Sequence, residues 1–408
     1  MNKITKTIPL KEASIFSKKR IESALLNSEN YIGTDNLLQN KKGKNVANYV
    51  PSSGSVSRYD KGDILISNIR PYLKKIWHAD STGGNSADVL ALVVNKEFDS
   101  KFVYYSIFRD EFFDYMMAGS KGTKMPRGDK KQVMDFPIPE FNFEDQQKIS
   151  SVLSALDVKI EINKKINKEL ELMIDDLYNY WFVQFDFPNK NGKPYRSSGG
   201  EMVWNDELKR NIPRGWASAN LLNNSFAKII KPGINKFEGL KKYLATADIN
   251  ERELEIGNDV NFENRESRAN MQPIKNSLWF AKMKASKKHL FIGEFAEDII
   301  ENSILSTGFM GLKCEDIAFE FLAGFISSDI FEVTKDKISH GATMQGIGND
   351  DLKFIKIIIP DEKTLSAYGS LTRDLYKKMD IHRQENKRLA ELRDWLLPML
   401  MNGQVKVI

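Results

Sequence analysis

Cysteine occurs once in the 408 residues, at Cys314, which rules out an intramolecular disulfide framework and fits a reducing cytoplasm. Long apolar runs are missing as well. Nothing approaches the roughly 18 consecutive apolar residues that a membrane helix needs. Met1–Lys6 lead into no apolar stretch, so no signal peptide is expected. None of the 13 prolines adjoins another, which removes the Pro-Pro motif that amino-methyltransferases use to hold a target amine. Cys314 follows Lys313 and not a proline, so the nucleophile of a cytosine-C5 enzyme is missing too. No Gly-x-x-x-x-Gly-Lys-Ser/Thr loop is present, so no ATP motor is indicated. The four histidines (His78, His289, His340, His382) are scattered and show no nucleophile–base arrangement. These gaps describe a soluble, cytoplasmic chain with no catalytic residue, cofactor site or metal site of its own.

One nuclease-like string exists, Pro360-Asp361 followed by Glu385-Asn386-Lys387, whose carboxylates could hold a magnesium ion. It is rejected, because such a site needs strands and Glu385 and Lys387 fall inside a heptad pattern.

What is present begins with 41% apolar and 11% aromatic residues, enough for packed cores, and a length that suggests two or three domains. The net charge of +5 is mild, but basic residues cluster. Lys121, Lys124, Arg127, Lys130 and Lys131 face one acid, Asp129. Arg265, Arg268, Lys275, Lys282, Lys284, Lys287 and Lys288 face Glu266 alone. Local basic patches on a balanced chain are what binding to a phosphate backbone requires; a solvated surface is the plainer reading of either patch alone.

The chain is also written twice. Tyr31-Ile32-Gly33-Thr34-Asp35 answers to Tyr243-Leu244-Ala245-Thr246-Ala247, and Ser86-Ala87-Asp88-Val89 to Ser306-Thr307-Gly308-Phe309. Gly122-Thr123 to Ile138-Pro139 parallels Ala342-Thr343 to Ile359-Pro360, and Asn167-Lys168 parallels Asn386-Lys387. The order is kept at spacings of roughly 212 to 221 residues, so two copies of one unit are expected, too long a period for a solenoid. Each copy reads as a mixed α and β globular part followed by a helix. Ile64–Ser67 and Val89–Val94 have strand patterns, and Phe102–Met117 and Phe321–Val333 have helical spacing.

From Asp145 to Trp181 there is no proline or glycine, and apolar residues recur in heptads. Tyr368, Leu375, His382, Leu389 and Leu396 form a matching column near the C-terminus. Two such helices in one chain most simply pair as a coiled coil, a rod of roughly 50 Å for some 36 residues. Asn163, Asn167, His382 and Asn386 fall mid-seam, where they would pair across it and fix its register at some cost in stability; water between splayed helices is the alternative. No other histidine or cysteine stands at ligand spacing from His382. Between the copies, Pro188–Gly200 is polar and rich in breakers and reads as a connector.

The stretch Tyr178-Asn179-Tyr180-Trp181-Phe182-Val183-Gln184-Phe185-Asp186-Phe187-Pro188 resembles the middle conserved region of the specificity subunits of type I restriction-modification enzymes. Ser197-Ser198-Gly199-Gly200-Glu201-Met202-Val203-Trp204, Ile212-Pro213-Arg214-Gly215-Trp216, Ser306-Thr307-Gly308-Phe309 and Asn402-Gly403-Gln404 are similar to further family segments, in the expected order. Copy one departs from Ser-Thr-Gly-Phe at Ser86-Ala87-Asp88-Val89. The resemblance implies an α+β chain of two similar target-recognition domains, 1–144 and 212–360. Each is followed by a long helix, 145–185 and 361–408, with a polar connector over 186–211. The helices would pair as an antiparallel coiled coil with pseudo-two-fold symmetry. It also implies a non-catalytic subunit that reads a two-part target in double-stranded DNA and docks two methyltransferase subunits, with restriction subunits as further partners and no membrane. S-adenosylmethionine would be held by the methyltransferase, and ATP and magnesium by a restriction subunit.

Base reading uses Arg, Lys, Asn and Gln with Thr or Ser assisting, while other basic residues position phosphates. The candidates in copy one are Thr34, Asn36, Arg70, Lys74, Lys121, Lys124 and Arg127. In copy two they are Thr246, Arg265, Arg268, Lys282, Lys284, Thr307 and Gln345. The aromatic cluster Trp181, Phe182, Phe185 and Phe187 is a candidate docking surface for the methyltransferase; closure of the core between helix and domain is the equal alternative. Two other readings stay open: a self-sufficient DNA-modifying enzyme with an unrecognised site, and a scaffold that binds only protein through its coiled coil.

Overall fold

The computed structural model describes residues 6–254 and 257–407. Met1–Thr5, on which the expectation of no leader rests, Glu255 and Ile256 of the second globular part, and Ile408 lie outside the described residues. The chain mixes helix and strand and divides into two compact units, residues 1–161 with 387–408 and residues 162–386.

In the first unit, Ile64–Ser67 is a central strand between Val89–Val94 and Ile76–His78, with Ser14–Phe16 at the far edge. Strand side chains alternate between faces, and both faces are covered here. Ile64 and Ile66 enter one core with Phe102, Phe112 and Met116, while Leu65 enters another with Tyr59 and Trp77. A second four-stranded sheet joins Arg20–Glu22, Ser55–Tyr59, Gly83–Asn85 and Tyr31–Ile32, the last pair parallel. The helical pattern after Phe102 is two helices, Ser100–Phe108 and Asp110–Ala118, because Arg109 between them is extended.

The second unit repeats the plan. Ser277–Ala281 lies between Phe309–Cys314 and His289–Ile292, with Ala227–Ile230 outside. Leu278 and Phe280 fill one core and Trp279 the other, as Ile64, Ile66 and Leu65 do. Trp279 is the bulkier centre, and its neighbour strand gives way at Gly311, where a Cβ would sit 2.5 Å from the indole; the first unit has Leu65 opposite Ala91. Volume is traded across the pair, as close packing demands. Lys241–Leu244 and Ser303–Ser306 run parallel like their counterparts, and the helices are Phe319–Ser327 and Asp329–Ile338, broken where Ser328 caps the second.

The first long helix is Phe143–Tyr178, ending in a π-helical turn at Asn179–Val183, and the second is Glu362–Met401. Within the second unit, Asn163 Nδ2 donates to Asn386 Oδ1 at 2.9 Å and to Glu385 Oε2 at 2.7 Å. Asn167 Oδ1 is 2.7 Å from His382 Nδ1. Within the first, Arg393 donates to Asp157 at 2.7 Å.

The polar stretch between the copies is more ordered than its breakers suggest. Asp186 accepts from the Ser197 amide and hydroxyl, and Met202–Asn205 pairs with Arg210–Pro213 as a hairpin.

The aromatic cluster is a correction to its reading as a docking surface. Trp181, Phe182, Phe185 and Phe187 are all buried, in one core with Trp216, Phe321 and Tyr368. Phe182 is 4.7 Å from Phe321 and 4.9 Å from Tyr368, centroid to centroid. Burial of four rings at a helix end is strongly favourable, and the rest of the second unit's core closes over them.

Candidate nucleic-acid interface

Each unit carries one surface that gathers most of the candidates, and main-chain hydrogen bonds assemble it. In the first unit the chain leaves Ile64–Ser67 through Asn68, Ile69 and Arg70, where Pro71 prevents strand continuation. Arg70 and Lys74 are left-handed, φ +50° each, a conformation costing a non-glycine residue about 1–3 kcal/mol. Arg70 is held by its N–H, which donates to the Pro126 carbonyl at 2.8 Å. Ile69 and Arg127 form a bridge, and Gly128 N–H donates to Asn68 O at 3.1 Å. The loop Lys121–Arg127 closes on itself by reciprocal bonds of 3.0 Å. Arg70, Lys121, Lys124 and Arg127, distant in sequence, thus meet on one surface, all exposed.

In the second unit, Lys284 N–H donates to Gln345 O at 3.0 Å, and Ile347 N–H to Lys282 O at 3.0 Å. Met283 bridges Gly346, and His340 closes on Gly346 with reciprocal 3.0 Å bonds. Lys284 Nζ reaches Gln345 Oε1 at 2.9 Å, and Lys282 Nζ the Thr307 carbonyl at 2.8 Å. Thr307 N–H donates to Arg268 O at 2.9 Å, and Gly308 lies against Thr246. Burial, with Lys231 beside it, holds the Lys282 ammonium below its usual range. Thr246, Arg268, Lys282, Lys284, Thr307 and Gln345 form one connected group.

Four candidates are placed otherwise. Asn36 is buried: its Oδ1 accepts from Gly33 N–H at 2.6 Å, and its Nδ2 donates to Tyr31 O and Asn45 O. Its counterpart Asp248 accepts from Ala245 N–H at 2.8 Å, so this position fastens a turn in both units. Lys74 pairs with Asp110 at 2.8 Å, an acid it shares with Lys41. Arg265 donates to the carbonyls of Phe262 and Ala269 and lies 4.1 Å over the Phe262 ring, holding its own loop. Thr34 is half-buried, its carbonyl accepting from Lys75 Nζ at 2.5 Å.

Lys75 was missed, as was its counterpart Lys288, which donates to the Thr246 carbonyl at 2.6 Å. The same bond in both copies shows a shared clamp, and burial lowers the Lys75 pKa. A lysine 41 residues after Thr34 in one copy and 42 after Thr246 in the other was the available signal. The frame also shifts one alignment: Gly122 answers to Gly341, not Ala342, because both have positive φ and both open the same closed loop. Ser86–Val89 and Ser306–Phe309 do coincide, since Asn68 N–H meets Asp88 O as Lys282 N–H meets Gly308 O.

Asp361, of the nuclease-like string, accepts from Trp216 Nε1 and caps the second long helix through Thr364, while Glu385 lies within that helix. Among the described residues no group of three or more His, Cys, Asp or Glu is placed to hold a metal ion. Burial pushes the Cys314 thiol far up. No helix among the described residues is long and apolar enough to cross a membrane.

Comparison with known proteins gives one consistent answer. A family model described as the type I restriction modification DNA specificity domain matches residues 6–172. The specificity subunit of type I restriction enzyme MjaIX from Methanocaldococcus jannaschii is 25% identical over 339 residues, 76% of this chain and 69% of that protein. The HindI specificity subunit from Haemophilus influenzae is 23% identical, covering 92% of this chain and 94% of its own length. Among solved structures, the type I restriction-modification S subunit from M. genitalium superposes with a TM-score of 0.51 at 15% identity, over 97% of this chain and 96% of that one, and shares the fold.

Proposed function

The chain belongs to the specificity-subunit family of type I restriction-modification systems, and from that premise we propose that each unit reads one half of a split target in double-stranded DNA. The family's subunit is non-catalytic. One observation carries the reading: the same main-chain frame is built twice and carries different side chains. In the first unit Arg70, Lys121, Lys124 and Arg127, with Thr34, face the duplex. In the second, Thr246, Arg268, Lys282, Lys284, Thr307 and Gln345 do so. A constant frame with variable polar tips is what two readers of unlike half-sites need, since base edges are told apart by donor and acceptor pattern. Asp88 adds an acceptor to the first surface.

The domains 1–144 and 212–360 are the two readers, and the helices over 145–185 and 361–408 pair as an antiparallel coiled coil with pseudo-two-fold symmetry. The bonds from Asn163 and Asn167 to Asn386 and His382 support that pairing and give these four residues a role in its register. With the aromatic cluster buried, the exposed apolar residues of the helices are the surface offered to two methyltransferase subunits. Leu172 and Met173 lie on the first helix, Leu392 and Trp395 on the second. S-adenosylmethionine belongs to those partners, and ATP and magnesium to a restriction subunit where one joins. The complex works in the cytoplasm.

Adenine-methylation mapping tests this in cells holding the chain and its methyltransferase. One split motif is expected, absent without the chain, and exchange of residues 216–360 should change one half only. The same methylation in cells lacking the chain would refute the reading.

A further inference from the structure

The closed loop at the edge of each recognition surface has the same skeleton, Ser120-Lys121-Gly122-Thr123-Lys124-Met125 and Ser339-His340-Gly341-Ala342-Thr343-Met344. Three residue types are kept while the others change. Ser120 and Ser339 end a helix, each hydroxyl donating to a carbonyl of the last turn at 2.8 Å. Gly122 and Gly341 have φ of +93° and +126°, and a Cβ on Gly341 would stand 2.7 Å from the Met344 carbonyl. Local structure therefore accounts for the serine and the glycine. It does not account for the methionine. Met125 is 46% exposed and Met344 60% exposed, and neither belongs to a hydrophobic core among the described residues.

A thioether left this exposed on a loop costs solvation and contributes little to folding. Its recurrence in two units points to something both units touch. That shared object is not a base sequence, because the two surfaces carry different polar groups. It is contiguous with the recognition surface, since Pro126 and Gln345, the next residues, accept the Arg70 and Lys284 amides. Lys121 and Lys124 flank Met125, and Lys284 and His340 flank Met344, so the setting is basic and suits a polyanion.

The geometry points to Met125 and Met344 as apolar wedges that press against the stacked bases of the duplex, one in each half-site. This rests on the DNA-reading function proposed above. Exposed methionine is among the side chains that architectural proteins insert at base steps, where it partly unstacks them whatever their identity. A partner that must extrude a base for chemistry gains from a neighbouring step already loosened.

The test uses the chain assembled with its methyltransferase and a duplex bearing the mapped motif. A diazirine analogue of methionine is placed at position 125 or 344. Photolysis is expected to cross-link each position to DNA, inside its own half-site. Cross-linking to the methyltransferase alone, or none, would overturn the inference. Met125→Ala and Met344→Ala are each expected to weaken duplex binding by about tenfold with the methylated motif unchanged, and leucine to restore it. A variant that changes the motif would make the methionine a base reader and equally overturn the wedge. Mapping with the wild-type chain separates the two levels: a motif that depends on the chain, with no cross-link to DNA, sinks the wedge alone. A motif independent of the chain sinks both.

Discussion

Arg127 Nη2 lies 3.1 Å from Asp88 Oδ1, and the positions that answer to this pair in the second unit are Gly346 and Gly308. A donor and an acceptor thus stand together in one unit, while the other has bare backbone there, with the Lys282 amide donating to Gly308 O. The pair is exposed, so its worth to stability is small, about 0–1 kcal/mol. Under the proposed function, the pair presents both hydrogen-bonding senses to a base pair. Asp88→Ala or Arg127→Ala should relax one position in one half of the motif, by about 1–3 kcal/mol of discrimination, and leave the other half intact. Methylation mapping of each variant reads this directly; relaxation in both halves would refute it.

The second prediction concerns a buried charged group. His289, Glu332 and Lys335 are buried together, with His289 Nε2 2.9 Å from Glu332 and Lys335 Nζ 2.8 Å from it. The corresponding first-unit residues are Ile76, Phe113 and Met116, all apolar and buried. Glu332→Ala should cost about 3–5 kcal/mol, because it strands a buried ammonium. The triple change to Ile, Phe and Met should be neutral or stabilising by about 1–4 kcal/mol. Urea denaturation compares them, and a triple variant as unstable as the single one would contradict this.

Acid should destabilise the protein before any carboxylate of ordinary pKa is titrated. Burial, with Lys101 nearby, lowers His78 from 6.5 to about 4, and burial likewise lowers His289. Both take up a proton more readily unfolded than folded, so the stability they permit is full above pH 6.5 and lost as pH falls toward their folded values. Burial works to raise Glu332, but hydrogen bonds from His289 and Lys335 hold it below its usual range, and its contribution is lost at lower pH still. Denaturation midpoints should fall between pH 7.5 and 5, and less so in His78→Phe or His289→Ile. Flat midpoints would contradict the assignment.

A fourth prediction separates core from docking. Phe182→Ala should destabilise the second unit by about 3–5 kcal/mol through the cavity it leaves. The folded fraction should still bind the methyltransferase with unchanged affinity, whereas Trp395→Ala should weaken that binding without lowering the melting temperature. The reverse pattern would return the aromatic cluster to the interface.

Much of this plan is legible before any coordinates, and the reason is periodicity. Alternation marks Ile64–Ser67 and Val89–Val94, heptads mark the two long helices, and the duplicated order of motifs marks the repeat. What escapes is whatever depends on a distant segment arriving. Asn36 resembles a loop reader until Tyr31 and Asn45 supply its hydrogen-bond partners. Lys75 looks like one more basic residue until Thr34 is found at its tip. Trp181 and Phe182 look like a surface because no sequence pattern says that Phe321 and Tyr368 will cover them. Lys335 breaks the polar rule for a buried position only once His289 and Glu332 surround it.

The loops that would meet DNA are fastened by backbone atoms: Arg70 N–H to Pro126 O in one unit, Lys284 N–H to Gln345 O in the other. Backbone atoms are the same in every residue but proline, so these fastenings survive nearly any substitution on the donor side. A mutation at the tip therefore changes the message without loosening the page. Such a protein can acquire a new target in few steps, and each half can do so while the other keeps its own.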